Sequence, residues 1–267
     1  MCSDQLSLFS DDFPEEQSFN DIKEVVKNDS NDKNKDTKKI KEEIINLDNL
    51  TEEDKKLKNI REDYSSLDLL SDELRINYSE KIKEVALGCQ KCELSKTRVQ
   101  VVYSSGNINA PIMIIGEGPG ENEDLTGIPF VGKAGQLLDK ILESGGINRE
   151  NSVYISNVVK CRPPKNRTPL PEEINACSIY ITNQLKLTKA KIILLAGSTA
   201  TNAFLGQVLS ITKVRGNWIE KEGKWIMPIF HPSYLLRNSS KDVGSPKWLM
   251  WQDIKKVKNK LQELKDD

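Results

Sequence analysis

The feature that most constrains the fold of this chain is the alternation of short apolar runs with longer helical patterns after residue 110. The runs PIMIIG, SVYISNVV, KIILLAG and KWIMPIF have the length and apolar content of buried strands. The helical patterns span residues 133–146, 171–185, 198–205 and 246–264. Such alternation is typical of a largely parallel sheet with helices on both faces. The sequence therefore predicts an α/β fold of three αβα layers, whose ligands bind beyond the carboxyl ends of the strands.

The first 65 residues have a different composition, dominated by Asp, Glu, Lys, Asn and Ser. Such a segment has too little apolar surface to offset the entropy lost on ordering. We predict a disordered extension over residues 1–65 and a folded domain over residues 66–267. A helical pattern over Leu67–Val85 begins this domain. Its apolar side chains are predicted to share one face: Leu69, Leu70, Leu74, Ile76, Ile82 and Val85.

The net charge of −1 hides an asymmetry between the two parts of the chain. Residues 1–77 carry 12 Lys/Arg and 21 Asp/Glu, whereas residues 78–267 carry 27 and 19, a surplus of eight positive charges. This surplus is suited to DNA phosphates, although an ordinary solvated surface can have the same charge. No apolar run is long enough to span a bilayer, and the N-terminus lacks a signal-peptide pattern, so we expect a cytoplasmic protein.

Four of the five cysteines form a pattern that suits a metal centre. Cys89 and Cys92 form a CxxC pair, Cys161 follows a predicted strand, Cys177 lies in the next predicted helix, and Cys2 is left over. Four thiolates suit either zinc or a cubane iron–sulfur cluster. The missing second CxxC pair favours iron–sulfur, and the alternative is a set of buried structural thiols.

A glycine-rich loop follows the first predicted strand, with Gly116, Gly118 and Gly120. Glycines let the backbone approach a ligand closely, but GEGPG lacks the GK[ST] ending of a phosphate-binding loop. Two acids and an aromatic residue flank the loop: Glu117, Glu123 and Phe130. The single histidine, His231, directly follows the last predicted strand. A lone histidine is often structural, but its place at a strand's carboxyl end makes it a candidate catalytic residue.

These segments together resemble the family 4 uracil-DNA glycosylases, the iron–sulfur branch of the uracil-DNA glycosylase superfamily. The matching motifs are CQKC, GEGPGENED, PFVGKAGQLL, ISNVVKCRPPKNRTP and HPSYLLR, and they cover the chain from about Tyr78 to its end. The resemblance implies an enzyme that flips uracil out of DNA and hydrolyses its N-glycosidic bond. It also implies that a 4Fe–4S cluster is held by Cys89, Cys92, Cys161 and Cys177.

The resemblance implies roles for residues in the loops as well. It places the backbone of Gly116, Glu117 and Gly118 against uracil, Phe130 on the face of the flipped base, Asn157 on its edge and His231 at O2. The segment Pro232–Arg237 matches the part that wedges into the duplex. The DNA-contacting residues predicted from it and from a neighbouring basic loop are Ser233, Tyr234, Leu235, Arg237 and Arg215.

The group that orients the attacking water is left open by the motifs. The third loop position, where the best-known uracil glycosylases carry Asp, is Gly118. Glu123, Glu117 or a backbone carbonyl could take its place, and we favour Glu123. The short segment 209–216 lacks the histidine-bearing insertion of a subgroup that traps its product covalently, so we expect turnover.

Two further hypotheses concern partners and class. A non-catalytic iron–sulfur module that binds DNA or transfers electrons would share this fold, although such a module would not need Glu117, Phe130, Asn157 and His231 together.

At the N-terminus, Gln5-Leu6-Ser7-Leu8-Phe9 resembles the peptide with which bacterial repair proteins bind the β sliding clamp. A five-residue match also arises by chance, but exposed apolar residues in an acidic tail favour a partner groove.

Overall fold

The computed structural model describes residues 71–266, which form one six-stranded mixed sheet with helices on both faces. The strands are β1 (Ser105–Gly106), β2 (Ile112–Gly116), β3 (Val153–Asn157), β4 (Ile192–Ala196), β5 (Ile219–Lys221) and β6 (Lys224–Ile229). Their spatial order is β1-β3-β2-β4-β6-β5. The four central strands are parallel, whereas β1 and β5 pair antiparallel at the edges. The predicted α/β class and largely parallel sheet are confirmed.

The α-helices lie between and after the strands. They are α1 (Asp72–Leu87), α2 (Glu121–Thr126), α3 (Lys133–Ser144), α4 (Arg149–Ser152), α5 (Pro171–Leu187), α6 (Ser198–Leu205), α7 (Ile211–Val214), α8 (Pro232–Arg237) and α9 (Pro246–Asp266). Side chains of α1, α5 and α6 share the core on one face of the sheet. Side chains of α3, α8 and α9 share the core on the other face. The result is the predicted three-layer arrangement.

The central strands are buried on both faces, as parallel strands between helix layers must be. In β2, Met113 and Ile115 enter one core, and Ile112 and Ile114 enter the other. Burial of each such side chain contributes about 1.5–3 kcal/mol. Gly116 at the end of β2 is paired in register with Asn157 at the end of β3. The carboxyl ends of the strands therefore bring residues from separate motifs to one edge of the sheet.

The predicted buried face of the first helix is wrong in part. The helix begins at Asp72, after Ser71, whose side chain caps the backbone amide of Leu74 at 3.2 Å. Leu74 is 36% exposed and Ile76 is 49% exposed. The predicted burial of Ile82 is confirmed, and Val85 packs against the same core together with Tyr78, whereas the first turns of α1 leave Leu74 and Ile76 outside it. Leu69 and Leu70 lie outside the described residues.

The predicted extension over residues 1–65, with the candidate peptide Gln5–Phe9, also lies outside the described residues. None of the helices between residues 71 and 266 has the length and apolarity that crossing a membrane requires.

Candidate active site and cysteine cavity

Gly116 and Asn157 form the floor of the site at the ends of β2 and β3. Asn157 is buried, and its Oδ1 has no hydrogen-bond partner among residues 71–266. A Cβ atom on Gly116 would lie 2.3 Å from this Oδ1 and 2.6 Å from Cζ of Phe130. Only glycine fits between these two side chains. A buried oxygen without a hydrogen-bond partner destabilises the fold, so the Asn157 Oδ1 is poised to accept a hydrogen bond from a ligand.

The backbone of Phe130 is strained, and neighbouring residues stabilise its conformation. Its φ angle of 55° lies in the left-handed region, which costs a non-glycine residue on the order of 1–3 kcal/mol. Arg149 stabilises this conformation by donating hydrogen bonds to the carbonyls of Phe130 and Pro129, both at 2.9 Å, and it also pairs with Asp139 at 2.5 Å. Gly135 of α3 allows close packing, because a Cβ there would lie 1.8 Å from the Phe130 carbonyl oxygen.

His231 follows β6, and its ring lies beside Phe130, with 5.7 Å between the ring centroids. Its Nδ1 accepts a hydrogen bond from the backbone amide of Ser233 at 3.2 Å and lies 2.8 Å from the Ser233 hydroxyl. An accepting Nδ1 places the ring proton on Nε2. Burial lowers the pKa of His231 to about 4, with a further lowering from Arg237 and an opposing effect of Glu123. The imidazole is therefore neutral at pH 7 and donates through Nε2.

Glu123, the favoured candidate for orienting the water, has both carboxylate oxygens engaged by backbone amides. Its Oε1 accepts hydrogen bonds from the amides of Val131 and Gly132 at 3.0 and 2.8 Å. Its Oε2 accepts from Gly120 at 3.1 Å. Both oxygens thus fasten the glycine-rich loop to the segment that carries Phe130. Its negative charge still acts on His231.

Glu117 has the more suitable carboxylate of the two candidates. Its Oε2 accepts a hydrogen bond from the Thr199 hydroxyl at 2.5 Å, and Oε1 has no hydrogen-bond partner in the described part of the chain. The Thr199 bond fixes the orientation of the carboxylate. The backbone carbonyls of Gly116 and Glu117 accept hydrogen bonds from Val158 and Val159, which holds the loop against the residues after β3.

Two of the predicted DNA contacts are engaged inside the domain and need correction. Leu235 is 0% exposed and belongs to the core between α3 and α8. Arg215 is engaged internally, because its guanidinium pairs with the buried Asp253 and donates to the Leu249 carbonyl at 2.9 Å. The neighbour of Leu235, Leu236, is 47% exposed. The exposed apolar side chain of α8 is therefore Leu236, which the sequence reasoning missed.

The other members of this segment keep positions compatible with their predicted contacts. Arg237 is exposed at the end of α8, and Ser233 lies against the His231 ring. Tyr234 packs on Phe230, with 5.0 Å between ring centroids.

Cys89, Cys92, Cys161 and Cys177 line a single cavity between α1, α5 and the segment after β3. All four are free thiols, and no three metal-ligating side chains within residues 71–266 converge on one point. Burial raises the pKa of the Cys161 thiol to about 11 and that of Cys177 to about 12. Arg98 opposes this shift at Cys161, since it donates a hydrogen bond to the Sγ atom at 3.2 Å.

Sequence reasoning did not identify several residues that build the site. They are Arg149, which holds Phe130, Thr199, which holds Glu117, Leu236 on α8, and Lys160 beside the cysteines. No motif spacing marks Arg149 or Thr199, because their partners are 19 and 82 residues away along the chain. Lys160 had a signal: it is a cation between apolar residues and a cysteine in VVKC.

The chain is similar to several curated proteins. A model of the uracil DNA glycosylase superfamily matches residues 103–255. A type-4 uracil-DNA glycosylase of Thermotoga maritima is 46% identical over 194 residues, which are 72% of this chain and 97% of the relative. Another from Sulfurisphaera tokodaii is 42% identical over 188 residues, 67% of this chain and 83% of the relative. A type-5 uracil-DNA glycosylase of Pyrobaculum aerophilum is 30% identical over 153 residues, 51% of this chain and 67% of the relative.

Proposed function

The chain belongs to the type-4 branch of the uracil-DNA glycosylase superfamily, and from this membership we propose a role for each residue of its site. The protein is a DNA-repair hydrolase that removes uracil from DNA. A glycosylase must extrude its nucleotide from the duplex, enclose the base and break the bond between base and sugar. The residues at the carboxyl ends of β2, β3 and β6 divide these tasks among them.

Asn157 selects the base in this proposal, and its buried, unpaired Oδ1 is the observation that carries it. The amide oxygen accepts from uracil N3–H, and the amide nitrogen donates to O4. Cytosine has the opposite donor and acceptor pattern at these atoms, so it would leave polar groups buried and unpaired. Phe130, close to Gly116 and Asn157, provides the stacking surface for the base.

His231 and the two glutamates act on the bond that breaks. Loss of the base leaves negative charge on uracil and positive charge on the sugar, so a donor near O2 and an acid near the sugar both lower the barrier. The neutral His231 donates from Nε2 to O2. Glu117 orients the water through Oε1, and the charge of Glu123 contributes from its position in the loop.

The reaction is tested on a duplex with one uracil by gel analysis after alkaline cleavage of the abasic site. We expect Asn157→Ala to lower the single-turnover rate on the order of 100-fold, because a buried polar reader is lost. Asn109→Ala is the matched control, since Asn109 lies before the amino end of β2, away from the site. Cleavage at equal rates by wild type and Asn157→Ala would contradict the assigned reader. A wild-type protein that binds but never cleaves would support the non-catalytic module.

We further propose that the cysteine cavity holds a 4Fe–4S cluster. A cubane cluster binds each thiolate to a different iron, so its ligands surround a cavity, as Cys89, Cys92, Cys161 and Cys177 do. The cluster has a structural role in joining the segment after α1 to the segment after β3 and to α5. Iron of this kind fits a cytoplasmic location, where thiols stay reduced. Anaerobically purified protein should be brown with about four irons per chain. Colourless protein with one zinc would contradict the proposal.

The last proposal concerns the peptide Gln5–Phe9, which we infer to bind the host's β sliding clamp. A modest affinity is expected, because ordering the peptide opposes the burial of Leu6, Leu8 and Phe9. Calorimetry with a peptide of residues 1–12 should give a micromolar dissociation constant. The variant Leu8→Ala/Phe9→Ala should lose binding and keep the uracil excision rate on free oligonucleotides. An unchanged affinity of this double variant would exclude these residues as the contact.

A further inference from the structure

Lys160 is a buried lysine that the proposed reaction does not use. Its ammonium group donates three hydrogen bonds, to the Ser156 hydroxyl at 2.6 Å, the Asn157 backbone carbonyl at 2.7 Å and the Gln184 Oε1 at 2.8 Å. The residue is 1% exposed. All three donor positions of the ammonium are thus occupied inside the protein. One of the acceptors belongs to the residue that reads the base.

The acceptors on the other side of the ammonium are themselves fixed. Gln184 is fully buried, and its Nε2 donates to the Tyr154 hydroxyl at 3.0 Å, which sets the direction of Oε1. Ser156 is also fully buried, and its hydroxyl contacts both Gln184 Oε1 at 2.8 Å and the Tyr103 carbonyl at 3.1 Å. Because these groups are anchored in the core, the ammonium has a fixed position from which it holds the Asn157 carbonyl.

All three acceptors are neutral oxygens, so they do not balance the charge of Lys160. A buried cation is costly unless negative charge lies near it. Burial lowers the pKa of Lys160 to about 8, and Cys177 and Cys161 are the groups that act in the opposite direction. The backbone amide of Lys160 donates to Cys177 Sγ at 3.3 Å, and Cys161 is its chain neighbour. Lys160 therefore contacts the cysteine cavity through its backbone and the Asn157 carbonyl through its ammonium group.

We propose that Lys160 is a positioning residue for base recognition, which connects the cysteine cavity to Asn157. Its ammonium holds the Asn157 carbonyl, and so fixes the turn after β3 from which the Asn157 amide faces Gly116. The inference rests on the proposed function of Asn157 as the base reader and adds the group that orients it. Lys160 itself touches no substrate.

The test is a double-mutant cycle of Lys160→Met and Asn157→Ala, measured as the affinity for free uracil by NMR titration and as the single-turnover excision rate. Lys160→Met keeps the length of the side chain and removes the ammonium. We expect it to weaken uracil binding and excision by about 10-fold or more, with unchanged iron content. The double variant should be no worse than Asn157→Ala alone, because both changes act through one amide. If the losses caused by Lys160→Met and Asn157→Ala multiplied in the double variant, the two residues would act independently and the proposal would be overturned.

Lys224→Met is the matched control. Lys224, on β6, is a partly buried lysine that also donates to a backbone carbonyl, that of Ala190, at 2.8 Å. It should keep uracil affinity within about twofold. Loss of iron together with uracil affinity in Lys160→Met would show action on the cavity alone and would overturn the proposal. If the methionine variant does not fold, Lys160→Gln, which keeps a donor on a shorter chain, enters the same cycle with the same expectation. A wild type that binds uracil but fails to cleave DNA would contradict the proposed function and leave the affinity cycle decisive for Lys160.

Discussion

At the scale of single residues, Gly116 is a position of the site that leaves no room for a side chain. A methyl group there would overlap both the Asn157 amide oxygen and the Phe130 ring. We expect Gly116→Ala to lower excision on the order of 100-fold, because both groups proposed to contact the base must move. The measurement is a single-turnover assay with a thermal melt. Gly223→Ala is the control, since a Cβ there meets open space but the φ of 68° disfavours alanine. It should lower the melting temperature and leave the rate unchanged.

His231 gives a prediction about pH, helped by being the only histidine of the chain. Its pKa of about 4 lies below the ordinary value of 6.5, so the imidazole stays neutral in the folded protein from pH 8 down to about pH 5. In the unfolded chain it takes up a proton near pH 6.5. The unfolded state thus binds more protons between these values, and stability from this group falls as pH drops from 6.5 towards 4.

The check is a ¹⁵N NMR titration of the imidazole. We expect one midpoint near pH 4 and shifts typical of the Nε2–H tautomer above it, and an excision rate that His231 does not alter between pH 5.5 and 8. A midpoint near 6.5 would mean that the ring is solvated and would remove the basis for a neutral donor.

At the scale of elements, two adjacent leucines of α8 differ in exposure. Leu235 enters the core, whereas Leu236 is exposed next to Arg237. A side chain that wedges into a duplex must be exposed in the free protein. We expect Leu236→Ala to lower excision from double-stranded DNA about 10-fold, with a smaller loss on single strands and no loss of stability.

Leu235→Ala is the matched counterpart, and we expect it to lower the stability of the domain. Removal of a fully buried leucine destabilises by about 2–5 kcal/mol. The two variants are distinguished by denaturant unfolding together with excision assays on single-stranded and double-stranded DNA. Equal losses of excision on single and double strands by Leu236→Ala would exclude a wedge.

The elements also show what the sequence could and could not predict. The four central strands were predictable because each is a short apolar run with a helix after it, and the site followed from their carboxyl ends. Phe130 and His231 became candidates through local motifs, and Asn157 through the family resemblance of the segment that contains it. Arg215 was misassigned because its partner, Asp253, lies 38 residues later on α9, and no local pattern reveals that pair. The face of α1 was misassigned in part because, among residues 71–266, nothing covers Leu74 and Ile76 in the first turns of the helix.

At the scale of the whole molecule, the four cysteines join parts of the chain that are far apart in sequence. A cluster bound between Cys92 and Cys161 would close a loop of nearly 70 residues, and closing a long loop restricts the unfolded chain. We expect removal of iron by a chelator to lower the melting temperature by several degrees, and Cys161→Ala to do the same. Cys2→Ala, outside this set, should melt like the wild type in differential scanning calorimetry. Equal melting of iron-free and iron-loaded protein would argue against a structural role.

The edges of the sheet have a consequence for the behaviour of the domain at high concentration. A parallel sheet that ended in a long, open strand would present a row of unpaired backbone groups to any second molecule. Here each edge is closed by a short antiparallel strand, two residues in β1 and three in β5, and β5 is joined to β6 by a tight turn. Edge strands this short are a poor template for pairing between copies. We therefore expect the domain to stay free of edge-to-edge strand pairing at high concentration, while its apolar strands remain enclosed.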